Sequence, residues 1–423
     1  MSLAQALNSQ QRSNLWVLFA AGLLFWSGLA AMLPTLPLYI QDIGGTSQQV
    51  GLVMGCFALG LLISRPRLAR LADNRSRKIV LLIGMAAIAI APLGYAIAAS
   101  IPLLMVVRAF HGISIAAFAT AYVALVVDLS PAANRGELIG YMSLVNPLGL
   151  AIGPALGGFL HEWKGFIPAF LMAAGLGMIG LICTSRVQEP EKNQFPTPDK
   201  SLQTQNFWRM LICPHIRVPA FVLLMVGLAF GTITSFAPLY IKEAGVELNV
   251  GLFYTAAAIA SFSIRLFTGR ASDRYGRGLF ISISLGLYVC AMLALWRADS
   301  AVTFLFAGIL QGAGGGTLIP MIAALMADRS KPAERGRTFG LCMVGFDVGI
   351  AMAGPIVGAI ADQVGYRDVF GLAAVLGLVG LGVFLTQSSK DIAQSLRFAT
   401  GRGPDVYAIA QPTFSAPNQG QNP

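Results

Sequence analysis

Charge is what this sequence has little of. Only 11% of its 423 residues are Asp, Glu, Lys or Arg, against about 25% in a soluble globular chain. A chain that is 56% hydrophobic cannot cover itself with polar surface in water. It requires an apolar solvent, the bilayer. Histidine is scarcer still. His111, His161 and His215 lie in distant segments, which excludes the clustered His, Glu or Asp site of a membrane enzyme. A GxxxxGK(S/T) phosphate-cradling loop is absent, which excludes an ATP-driven pump; no cofactor and no metal are expected. The five cysteines, Cys56, Cys183, Cys213, Cys290 and Cys342, are odd in number, lack metal spacing and read as small apolar filler. No secretory signal with a small-residue cleavage site opens the chain. The first apolar run, about 15–40, is too long for one and reads as a spanning helix. The formal charge of +10 would fit nucleic acid only as a basic face on a soluble domain. Here the bases occupy short gaps between apolar runs, so no nucleic-acid partner is expected.

What the sequence does contain is a series of apolar segments, each near the roughly 20 residues needed to cross the hydrocarbon core. Twelve qualify, with approximate cores 14–40, 48–67, 78–99, 101–128, 137–160 and 166–184, then 219–241, 249–267, 278–297, 301–327, 336–361 and 369–387. The expected fold is an all-α polytopic membrane protein of two six-helix bundles, 14–185 and 218–387, related by a pseudo-two-fold. A short segment, 1–13, precedes the first bundle. A polar linker, 186–217, carries Pro190, Pro196 and Pro198 and joins the two. The tail 388–423 is rich in Gly, Pro, Gln and Ser and is expected to be disordered.

Lys and Arg set the orientation. Alternate gaps and the termini hold 24 of them, among them Arg65, Arg67, Arg70, Arg75, Arg77 and Lys78, whereas the intervening gaps hold only 4, Lys164, Lys242, Arg297 and Arg367. Both termini and the linker are therefore expected in the cytoplasm, in a plasma or bacterial inner membrane. The halves also repeat. Arg65 and Arg265, Asp73 and Asp273, Arg77 and Arg277, and Asp128 and Asp328 are each 200 apart, while Pro37-Leu-Tyr39-Ile and Gly153-Pro154 recur at 201. Composition alone does not hold one offset across unrelated motifs, and internal repeats mark secondary transporters.

The gap after the second segment reads Ala69-Arg-Leu-Ala-Asp73-Asn-Arg-Ser-Arg77-Lys78, and its twin reads Gly269-Arg-Ala-Ser-Asp273-Arg274-Tyr-Gly276-Arg277. An acid at a helix end beside several Arg makes charge-assisted hydrogen bonds that can tie helices together. The pair resembles the signature loop of the major facilitator superfamily, GxxxD(R/K)xGR(R/K), the first copy departing at Ala69, Asn74 and Ser76. The resemblance spans roughly 14–387. It implies that Asp73, Arg77, Asp273, Arg274 and Arg277 form cytoplasmic gating loops; the competing reading is a purely topogenic positive loop. The fifth segment reads Gly149-Leu-Ala-Ile-Gly153-Pro154-Ala-Leu-Gly157-Gly158. Small residues four apart let helices approach and Pro bends the axis. The string is similar to the motif of the antiporter branches, and ordinary small-residue packing is its alternative.

Arg108 and Asp347 fall deep inside apolar segments, where a charge costs at least about 2.5–3.5 kcal/mol and needs protein or water around it. Arg108 in Arg108-Ala-Phe-His111-Gly112 is similar to the family's RxxxG pattern, which the family links to proton coupling; its twin is Gly308, so the fold does not demand it. Asp347 lies mid-segment opposite Asn146 in the first half. It is either a coupling carboxylate or a structural acid in a wet crevice. His111 is either a titrating group or, like its twin Gln311, a hydrogen bonder. Asp42, Asp128 and Asp328 sit near segment ends and read as caps or loop partners. Aromatic residues on segments 1, 4 and 7, which line the cavity in the family, include Phe25, Trp26, Tyr39, Phe118, Tyr122, Phe230, Phe236 and Tyr240. Trp26, Tyr122, Asn146, Phe236 and Gln311 are the substrate-cavity candidates.

The expected function is alternating-access transport: proton-coupled efflux of a small amphipathic compound, by a monomer with the proton as coupling ion. The alternatives are a sugar or metabolite transporter of the same fold, and more remotely a channel or a non-transporting receptor.

Overall fold

The computed structural model describes residues 7–131, 134–189, 212–331 and 334–409, and among these the only regular elements are helices. The first four spans are α1 (Ser9–Asp42), α2 (Ser47–Asn74), α3 (Arg77–Ile97) and α4 (Ile101–Leu129). The fifth comes in two pieces, α5 (Arg135–Met142) and α6 (Val145–Lys164), and α7 (Phe166–Arg186) closes the first bundle. The second bundle runs α8 (Pro214–Glu243), α9 (Val250–Tyr275), α10 (Arg277–Trp296), α11 (Ala301–Asp328) and α12 (Arg335–Gln387), and is followed by the short α13 (Ile392–Ala399). Starts are set by local chemistry. Asn8, Thr46 and Ser300 each cap a helix through a reciprocal capping box with the residue three positions on, satisfying amides that have no intrahelical partner.

Among the described residues, 11 helices are long and apolar enough to cross a membrane. The last of them has 53 residues and would measure roughly 80 Å if straight, far more than the ~30 Å hydrocarbon core. It is broken at Gly365, whose φ is +83°, a backbone region that favours glycine. Its counterpart 200 positions earlier, Gly165, has φ +87° and separates α6 from α7. The break divides α12 as Gly165 divides α6 from α7. The sequence repeat is thus also a repeat of turns, and of staples. Tyr39 donates to the Ala98 carbonyl at 3.0 Å and Tyr240 to the Ala298 carbonyl at 2.7 Å, each tying the first helix of its bundle to the turn after the third.

Large apolar side chains such as Trp16, Ile97, Trp163, Phe267 and Val302 point outward, as a lipid-facing belt requires. Inside, one buried core is continuous from the N-terminal bundle (Met32, Leu36, Val50, Val53, Phe170) into the C-terminal bundle (Ile233, Phe236, Phe253, Phe304). Its first-bundle members cluster toward the helix ends remote from the chain termini. A separate core of Leu18, Phe25, Leu81, Phe118 and Leu125 fills the terminus-side half of the first bundle. The bundles are therefore joined at the far end.

Three boundaries differ from expectation. Helix α1 begins at Ser9, inside the segment expected to precede the bundle. Residues 187–189 belong to the first bundle rather than to a free linker: Gln188 N–H donates to Asn14, and Glu189 accepts from the Arg77 amide at 2.7 Å. A carboxylate there complements the positive N-terminus of α3. Residues 388–409 are not disordered but cross the terminus side of the second bundle as a strap containing α13. Pro190, Pro196, Pro198 and the remainder of the linker to 211, and the tail beyond 409, lie outside the described residues.

Candidate functional site

The seam between the bundles is built from glycine. Helices α2 and α12 run antiparallel so closely that a Cβ on Gly51 would collide with the Gly354 carbonyl and one on Gly354 with that of Gly51; a Cβ on Gly55 would lie 2.7 Å from the Ala351 carbonyl. The symmetry-related contact joins α6 to α9: a Cβ on Gly158 would strike the Asn249 side chain, one on Gly251 the Pro154 carbonyl, and Thr255 donates to the Ala151 carbonyl at 2.7 Å. Next to the first seam, Asp362 accepts from the Ser47 amide at 3.3 Å, and the Ser47 hydroxyl lies 2.9 Å from that of Tyr366.

The efflux-type string on α6 divides between two faces. Gly149, Gly153 and Gly157 pack on Trp26, Ser27 and Ala31 of α1, within the bundle, whereas Pro154 and Gly158 meet α9 across the seam. In α12, Gly345 and Gly349 pack on α8, and Gly354 and Gly358 on α2. Small residues permit such approach where lipid supplies no hydrophobic drive for association. A Leu in place of Gly354 should force this end apart. Oxidative cross-linking of a Ser47→Cys/Asp362→Cys pair should fall about tenfold, the effect of overpacking by ~1.4 kcal/mol; undiminished cross-linking would show that the seam can yield.

The gap loops, by contrast, pair inside their own bundles. Arg77 forms an ion pair with Asp128 and donates to the Ala124 carbonyl. Arg277 pairs with Asp273 at 2.6 Å and with Asp328 at 3.4 Å. Asp128 and Asp328 are the loop partners expected of them. Asp73 is exposed, and Arg274 lies over the Tyr275 ring.

An ion pair crosses between bundles deep in the helices. Arg65 of α2 donates to the Asp347 carboxylate of α12 at 2.5 Å, with side-chain exposures of 29% and 6%. Asp347 is thus the buried partner and Arg65 the partly exposed one. The repeat shows that the fold does not require it: Arg265 donates to the Gly316 carbonyl of its own bundle, and Asn146 stands where Asp347 has its twin. The sequence marks Asp347 and Arg108 as intramembrane charges without a partner for either, and counts Arg65 among the orienting gap bases. The difference follows from helix length: the expected segment stopped at 67, just past Arg65, whereas α2 continues to Asn74 and places Arg65 well inside the helix.

Arg108 is buried elsewhere. It lies 4.6 Å over the Phe57 ring and 3.5 Å from His111 Nδ1. Tyr95 holds the same nitrogen at 2.9 Å. The Arg108 Nε and His111 Nε2 atoms have no hydrogen-bond partner among the described residues. This cluster is a second buried polar site, confined to the first bundle. The cavity candidates separate. Trp26 and Asn146 are partly exposed. Tyr122 is buried against Phe118, with its hydroxyl near the Met142 carbonyl at 3.4 Å. Gln311 donates to Tyr288 at 3.1 Å. Phe236 is fully buried core, stacked toward Tyr366, and cannot line an open cavity; Tyr39 and Tyr240 are staples.

Comparison with known proteins agrees with this architecture. The Major Facilitator Superfamily profile matches residues 18–296 and 247–403. The chain is 28% identical over 303 residues to the quinolone resistance protein NorA of Staphylococcus aureus strain MRSA252, covering 69% of this chain and 76% of that protein. It is 26% identical over 387 residues to the multidrug resistance protein MdtG of Proteus mirabilis, covering 87% and 94%. In fold it is similar to the nucleoside transporter NupG, with a TM-score of 0.77, 14% identity and coverage of 88% and 99%. It is likewise similar to a D-xylose–proton symporter, with a TM-score of 0.73, 15% identity and coverage of 89% and 97%.

Proposed function

Because the chain belongs to the Major Facilitator Superfamily, a family of transporters, we propose that it exports small amphipathic compounds in exchange for protons. The observation that carries this reading is the Arg65–Asp347 pair. It is an intramembrane acid tied to a base on the opposite bundle, so protonating the acid removes a tie between the two bodies that alternating access must move. The drug-resistance names of the sequence relatives support efflux. The nucleoside and xylose transporters share the fold at 14% and 15% identity, which carries no substrate. With the termini in the cytoplasm, as the Lys and Arg distribution expects, the glycine seam is the extracytoplasmic gate and the conformation is inward-facing. Arg77–Asp128 and Arg277–Asp328 are then the resting pairs of loops that engage the other bundle when the cytoplasmic side closes. Trp26 and Asn146, the partly exposed candidates, remain the proposed cavity residues.

Proteoliposomes test the exchange. With an acidic lumen, antiport predicts accumulation of norfloxacin and alkalinisation of the lumen; accumulation only when the lumen is alkaline, with protons entering alongside, would overturn it in favour of symport.

A further inference from the structure

The strap after α12 presents a surface that its own packing does not use. Helix α13 buries Ser395, Phe398 and Ala399 on the second bundle. The Phe398 carbonyl lies so close to Gly278 that a Cβ there would collide with it, and Gly401 sits against Tyr275 and Leu279. The helix is therefore flush with the first turn of α10, where a membrane span begins. Along the flank adjoining the buried face, one turn apart, Ile392 and Leu396 are 62% and 43% exposed. Lys390, Arg397 and Arg402 are exposed on the same segment, and Arg274 is exposed on the neighbouring gap loop. The nearby acids are engaged: Asp391 caps α13 by accepting from the Gln394 amide, Asp405 holds Arg329, and Asp273 holds Arg277. Apolar side chains at interface depth, rimmed by bases that pair with no acid among the described residues, match an acyl boundary beneath anionic headgroups.

We infer that the strap helix docks on anionic phospholipid, with Ile392 and Leu396 entering the acyl boundary and Lys390, Arg397 and Arg402 meeting the headgroups. The partner is a lipid surface rather than a second copy of the chain. Each base near such a surface strengthens binding roughly fivefold, so phosphatidylglycerol should hold the strap closed where phosphatidylcholine does not. Nothing in this depends on the direction of transport.

The test is hydrogen–deuterium exchange over residues 388–409 of the full chain in nanodiscs. These offer the same lipid on both faces, so the outcome is independent of membrane orientation. Adding about a third phosphatidylglycerol to phosphatidylcholine should slow exchange at least fivefold, the value of one base. In Lys390→Gln/Arg397→Gln/Arg402→Gln the dependence should vanish, with exchange in pure phosphatidylcholine unchanged. Ile392→Ser/Leu396→Ser should weaken protection in both lipids while leaving the bundle peptides as in the wild type. Lipid-independent exchange in the wild type would overturn the inference, as would protection seen only when two copies share a disc.

Discussion

Asp347→Asn should sharply cut accumulation driven by a pH gradient while leaving downhill substrate exchange measurable. The substitution keeps the shape of the side chain and removes its charge and its capacity to take up a proton. Arg65, 29% exposed, then turns to water at modest cost. What is lost is the linkage between proton binding and the contact of two bundles, a coupling of about 1–3 kcal/mol, or roughly 5–150-fold in driven accumulation. Arg65→Gln should lose the same coupling from the other side, because it leaves a carboxylate buried without its base. The two groups act as one unit, so Arg65→Gln/Asp347→Asn should be no worse than either single change. Arg108→Gln probes the separate cluster with His111 and Tyr95, and its effect should add to that of Asp347→Asn. Normal gradient-driven accumulation in Asp347→Asn would remove it from the coupling site, and strict additivity between Arg65 and Asp347 would show that the pair transmits nothing.

The reason Arg65 escaped sequence reasoning is instructive about what one dimension encodes. Repeated features were legible, because a motif at a fixed offset reports a backbone feature used twice: Gly165 and Gly365 are both left-handed breaks, and Tyr39 and Tyr240 both staples. Asp128 and Asp328 were readable as loop partners for the same reason. Features that break the repeat were legible as oddities, Asp347 among them, but not their partners. The partner of a buried charge lies 282 positions away, and an arginine near a helix end looks like any topogenic charge. Aromatic residues failed differently. Phe236 and Trp26 both sit on first helices of their bundles, yet one is core and the other partly exposed, since helices that are apolar all round carry no periodicity to say which face turns inward. The strap failed through composition: residues rich in Gly, Ser and Gln lack the apolar content of a core, and the order of 388–409 comes from individual side chains meeting one arginine.

That arginine should prove the most costly residue outside the seam. Arg329 has a side chain only 1% exposed. It forks onto Asp405 at 2.7 and 2.9 Å and donates to the carbonyls of His215 at 3.2 Å and Ser388 at 3.1 Å. The rings of Phe398 and Tyr407 stand within 5.5 and 5.1 Å of its guanidinium carbon. One side chain thus ties together the start of α8, the end of α11, the end of α12 and the strap. The position has Leu129 as its twin, so the repeat does not demand the lock. Removing one member of a buried pair strands the other, at about 3–5 kcal/mol. Arg329→Ala and Asp405→Ala should each lower the thermal unfolding midpoint of the purified protein and open residues 388–409 to protease. Replacing both, as Arg329→Met/Asp405→Leu, should cost less than either single change, because no charge is left buried alone. If the single variants unfold at the wild-type temperature, the pair is solvated in the membrane and the strap is held by Phe398 and the α10 contact instead.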